Sequence, residues 1–140
     1  MAERWFVDTA YVLAMANLRD AHHARAEALA TRVQREHVEL VTTQAVLLEV
    51  ASALSPLSSR RSAVTLVEDI RDGSVVFPLT PGLLSDAWEM YKRHMDKEWS
   101  WVDTISFVVM RREGMTEALT SDHHFGQASF RALLAPDGGA

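Results

Sequence analysis

Cysteine is absent from the 140 residues, which rules out disulfides and thiolate zinc sites. Long hydrophobic runs are missing as well. A stretch such as Ile105 to Met110, already broken by Ser106, falls far short of the ~20 apolar residues that cross a bilayer. Residues 1–7 carry Glu3 and Arg4 and have no apolar region of the kind a secretory signal needs, so a cytoplasmic protein with no membrane association is expected. Positive charge is scarce: 14 Lys and Arg stand against 19 Asp and Glu, a net charge of −5. A protein that grips nucleic acid by neutralising phosphates is usually basic. Either nucleic acid is not the partner, or part of the acidity builds a cation site.

What is present is ordinary globular composition, 48% hydrophobic and 24% charged, which argues against a mostly disordered chain. There is no internal repeat and no linker, so residues 1–135 are expected to form one domain, with a frayed tail at 136–140.

Short β-type runs alternate with helical patterns. Trp5-Phe6-Val7 reads as a strand, followed by Asp8-Thr9 and a helix to about Asn17. Residues 22–36 place Ala26, Leu29, Ala30 and Val33 on one helical face. A strand over Glu39 to Thr42 leads into an apolar helix from Gln44 to Leu54, which Ser55-Pro56 breaks. A helix over 60–71 precedes the strand Val75-Val76-Phe77. Pro81 suits the first turn of the next helix, and another runs from Ser100–Asp103 to a stop at Gly114. Ala118 to Thr120 and Phe130 to Leu134 complete the strands. Strands separated by helices predict an α/β fold with a parallel sheet, whose ligand site lies beyond the carboxyl ends of the strands.

Four carboxylates fall near that edge. Asp8 follows the first strand, either as a helix cap or as a ligand. Glu49 lies in Ala45-Val-Leu-Leu-Glu-Val-Ala51, with no cation one turn away on either side, so it either reaches the surface or binds a metal or a distant arginine. Asp103 has the spacing of a capping box with Ser100, and Asp122 suits an Asx turn or the cap of a short helix. Gathered together, these acids would repel one another unless a divalent cation joined them. Oxygen donors without cysteine select Mg²⁺ or Mn²⁺. Setting the four aside leaves a net charge of −1.

The segments Phe6-Val-Asp8-Thr9, the Glu49 helix, Trp101-Val-Asp103-Thr-Ile-Ser106-Phe107 and Leu119-Thr120-Ser-Asp122-His-His-Phe125 together resemble the PIN domain, and more narrowly the toxin ribonucleases of VapBC toxin–antitoxin pairs. The resemblance spans roughly positions 4 to 134. It implies a three-layer α/β/α sandwich, Mg²⁺- or Mn²⁺-dependent hydrolysis of RNA, a small antitoxin partner and a homodimer. It also implies that Asp8, Glu49, Asp103 and Asp122 bind the metal, and that Thr120 orients a carboxylate or a metal-bound water. Ala10 stands where that family often has Ser or Asn, Val102 where it often has Thr or Ser, and Ser129 where Gly is frequent.

RNA binding would then rest on local positive charge: Arg60-Arg61, Lys92-Arg93 with Lys97, or Arg111-Arg112. Trp99 and Trp101 could stack on an unpaired base; the simpler expectation is a core Trp101 and a surface Trp99. His123 and His124 are expected at the surface or behind the ligands, since adjacent side chains rarely point at one ion. A catalytically silent interaction module of the same fold is the competing class. A phosphatase of the haloacid-dehalogenase type needs an acid two residues after the first, where Ala10 stands.

Overall fold

The structure, a computed structural model, describes residues 3–136; residues 137–140 of the expected tail lie outside the described residues. The chain runs β1 (Arg4–Val7), α1 (Thr9–Ala16), α2 (His23–Glu36), β2 (Glu39–Thr43), α3 (Gln44–Ala53), α4 (Leu57–Gly73), β3 (Ser74–Phe77), α5 (Pro81–Arg93), α6 (Trp101–Arg112), β4 (Glu117–Leu119), α7 (His123–Gln127) and β5 (Arg131–Ala132). The five strands form one parallel sheet in the order β3-β2-β1-β4-β5. Phe6 pairs with Val41 on one side and with Ala118 on the other, so β1 is central. Trp5, Phe6 and Val7 are all buried. Successive strand residues point to opposite faces, so both faces of the sheet are covered by helices, as an α/β/α sandwich requires.

From β1 the chain first winds one way, through β2 to β3, and then returns to build β4 and β5 on the other side. The reversal falls between β1 and β4. Loops leaving the carboxyl ends of these two strands diverge and open a crevice.

α6 is the core helix. Residues 103–110 are all buried, and Phe107 meets Phe125 of α7 edge-on at 5.0 Å. Burying a phenylalanine contributes about 1.5–3 kcal/mol, so this pair ties α6 and α7 to the sheet. Ser100 caps α6 in a complete capping box with Asp103. Gly114 ends the same helix at φ 66°, and the Met115 N–H reaches the Met110 carbonyl at 2.8 Å, a Schellman closure that favours glycine.

Two details depart from the sequence pattern, while the short helix that Asp122 was expected to cap is present as α7. α4 starts at Leu57, because Pro56 fits the position just before a helix and does not prolong the break. The tryptophans exchange their expected places. Trp99 is buried, donating from Nε1 to Gln127 at 2.9 Å and packing edge-on against Phe107. Trp101 is 42% exposed and lies against Trp88, its Nε1 donating to the Leu84 carbonyl. The residue before the cap is steered by tertiary partners, while Trp101 in the first turn faces α5 at the surface.

Candidate metal centre at the carboxyl edge of the sheet

Asp8 leaves the end of β1 at the N-cap position of α1, yet its side chain makes no cap to that helix. Its Oδ2 instead accepts the Thr120 hydroxyl at 2.7 Å. Thr120 follows β4, and its Oγ1 also accepts the Asp122 N–H at 3.0 Å. One buried hydroxyl thus joins the acid after β1 to the turn that presents the acid after β4. The adjacent parallel strands make this possible, pairing Val7 with Leu119.

Asp122 caps α7, its Oδ1 accepting the His124 N–H at 2.9 Å. Asp103 arrives from a third direction, at the start of α6. Its Oδ2 accepts the Ser100 N–H at 3.0 Å and faces His124 Nδ1 at the same distance. His124 Nδ1 is also 3.3 Å from Asp122 Oδ1. The capping roles expected of Asp103 and Asp122 therefore coexist with their approach to His124, since in each residue the capping oxygen is also the one that faces Nδ1.

Glu49 stands to one side. It is half-buried on α3 and accepts a short hydrogen bond from the Thr9 hydroxyl, next to Asp8. The structure thus links Asp8, Thr120, Asp122 and Asp103 in one chain of contacts and attaches Glu49 through Thr9. Sequence reasoning passed over Thr9 as a contact to Glu49. A hydroxyl directly after the strand-end acid was its only trace.

The electrostatics follow from burial. Desolvation pushes the Asp8 carboxyl up to about 7; the Thr120 hydroxyl and the Thr9 N–H oppose this, and the charges of Asp103 and Asp122 add to it. Asp103 is raised as well, first by burial, with the Ser100 N–H opposing, the Asp122 charge adding and His124 opposing. Among the described residues no lysine or arginine ion pair involves Asp8, Glu49, Asp103 or Asp122; the only such partners are the imidazoles of His123 and His124, on Asp122 and Asp103. Carboxylates that raise one another's pKa without a lysine or arginine beside them suit a hard divalent cation. The donor chemistry fits Mg²⁺ or Mn²⁺.

Elsewhere the surface is more ordinary. Lys92, Lys97 and Arg112, three of the candidate RNA-holding cations, pair with Glu89, Asp96 and Asp86. The Arg60 guanidinium donates to the Ser55 carbonyl, and Arg111 lies over the Phe130 ring. A groove of about 420 Å³ between α3 and α4, lined by Leu48, Ala63 and Val64 among others, contains none of the four acids.

The PIN domain family profile matches residues 5–131. The 23S rRNA-specific endonuclease VapC20 of Mycobacterium tuberculosis (strain H37Rv) is 35% identical over 127 residues, covering 89% of this chain and 94% of that protein. The crystal structure of M. tuberculosis VapC20, described as a sarcin-ricin loop cleaving toxin, superposes with a TM-score of 0.80 at 32% identity, over 89% of this chain and 95% of that one. VapBC2 from Rickettsia felis, bound to a DNA fragment from its promoter, gives a TM-score of 0.62 at 11% identity over 89% and 92% of the two chains, a likeness of fold.

Proposed function

This chain belongs to the PIN domain family, and from that premise we propose that it is a Mg²⁺- or Mn²⁺-dependent endoribonuclease, the toxin of a toxin–antitoxin pair. Residues 1–135 act as one nuclease domain in the cytoplasm, as a homodimer held inactive by a small antitoxin protein. The observation that carries the reading is the chain of contacts at the sheet reversal that joins Asp8 through Thr120 to the Asp122 turn, and Asp122 through His124 to Asp103, with no lysine or arginine paired to these acids among the described residues. The first RNA to test is 23S rRNA, because the relative that acts on it is 35% identical over nearly the whole chain.

Asp8, Asp103 and Asp122 would hold the ion, with Glu49 at the flank. A bound divalent ion supplies a lowered water pKa and neutralises charge growing on the phosphate oxygens during hydrolysis. Thr120 donates to Asp8 Oδ2 and so holds the Asp8 carboxyl in place. The Ser100 N–H holds Asp103 through Oδ2, the oxygen that also lies beside His124 Nδ1. These contacts fix the carboxylates before substrate arrives, the arrangement that gives tight and selective ion binding.

The test is direct. Protein freed of antitoxin should cut 23S rRNA with Mg²⁺ or Mn²⁺ and stop with EDTA. Asp8→Asn and Asp103→Asn should each abolish cleavage while circular dichroism stays unchanged. Wild-type rates in both variants would reject the assigned ligands, and an inert wild type would favour the silent interaction module.

A further inference from the structure

Resting on the metal-dependent reading above, we propose that His124 is itself a ligand of the divalent ion, through Nδ1, and that this nitrogen biases the site towards Mn²⁺ over Mg²⁺. The two neighbouring histidines are placed very differently. The His123 side chain is 77% exposed and its Nδ1 stands 3.8 Å from Asp122 Oδ1. The His124 side chain is 18% exposed and turned inward, with Nδ1 3.0 Å from Asp103 Oδ2 and 3.3 Å from Asp122 Oδ1. Asp122 fixes the His124 backbone through its cap, and buried Phe125, next in the chain, anchors the short helix against Phe107.

Those two separations have a chemical meaning. Six donors set ~2.1 Å from an ion at the corners of an octahedron lie ~3.0 Å from their neighbours. Nδ1 therefore stands from each carboxylate oxygen at the separation of neighbouring donors in a coordination shell, and Asp122 and His124 belong, with His123, to a group whose donor atoms all lie within 4.8 Å of one another. An imidazolium held between two acids would explain the same contacts, so the nitrogen has two uses, and only ligation leaves a mark on the ion itself. Carboxylate oxygens serve Mg²⁺ and Mn²⁺ alike, whereas an imidazole nitrogen suits the transition metal better than Mg²⁺.

The experiment uses the full chain, stripped with EDTA and titrated with Mn²⁺ alone, then with Mg²⁺ in competition. Pulsed electron paramagnetic resonance on the Mn²⁺-loaded wild type should show coupling to an imidazole ¹⁴N. That coupling should persist in His123→Ala and vanish in His124→Ala. His124→Ala should also weaken Mn²⁺ by about tenfold or more while Mg²⁺ weakens by no more than about threefold, reducing the preference between the ions. The wild-type spectrum needs no substitution, so a variant that fails to fold leaves the proposal exposed. Bound Mn²⁺ without nitrogen coupling would overturn it, as would equal weakening of both ions, the mark of a residue that only orients Asp103. If EDTA-sensitive, Asp8-dependent RNA cleavage accompanied that result, the nuclease reading would stand alone. A wild type that binds neither ion would defeat both.

Discussion

Replacing Asp8 with asparagine is expected to make the metal-free protein more stable at neutral pH, although it removes the strand-end acid of the candidate site. The folded carboxyl ionises near pH 7, against 3.8 in an unfolded chain, because burial disfavours its charge. Between these values the folded state keeps a proton that the unfolded state has lost. The folded state binds more protons, so stability falls as pH rises through this window and levels off above 7. The loss works out at about 2 kcal/mol between pH 5 and pH 7. For a chain of this length that corresponds to roughly 6 °C in melting temperature. The contribution of His23, whose pKa is raised by the Ala14 carbonyl and Glu27, also fades as pH rises, and it cancels because both proteins contain it. The assay is urea denaturation of EDTA-treated wild type and Asp8→Asn at pH 5, 6, 7 and 8. The variant should lack about 2 kcal/mol of the wild-type decline between pH 5 and 7. Parallel curves would refute the account of a buried, proton-retaining Asp8.

Thr120→Val keeps shape but removes the hydroxyl that serves Asp8 and the Asp122 N–H; it should cost about 1–3 kcal/mol in denaturation experiments and weaken Mn²⁺ binding by about 10–100-fold, with Thr120→Ser close to wild type. Ser129 adopts φ 73°, a left-handed conformation that favours glycine, so Ser129→Gly should raise stability by about 0.5–1 kcal/mol in a urea titration and leave RNA cleavage unchanged.

Much of this architecture could be read from residue order because its cues are local. Pro81 at the first turn, the Ser100–Asp103 box and Gly114 each mark a helix end through backbone chemistry that tertiary packing then respects. The acids after β1 and β4 could be singled out because parallel strands bring their carboxyl ends to one edge. What escaped depends on partners far along the chain. Thr9 reaches Glu49 across forty positions, and nothing near either residue encodes that contact. The inward turn of His124 depends on a five-residue helix too short to show periodicity. Trp99 and Trp101 were exchanged because a residue just outside a cap takes its direction from what it meets, here Phe107 and Gln127. Ser129, noted only as a departure from a common glycine, acquires a meaning once its φ is known.

The hydroxyl shared by Asp8 and the β4 turn spans 112 positions of sequence. Translation proceeds from the amino end, so the opening acid is made early and waits for almost everything else. No nascent chain that stops before the 120s can assemble the pocket, however well its first three strands have folded. For a catalyst whose proposed target lies in the machinery that builds it, the winding of the sheet delays competence until synthesis is nearly done.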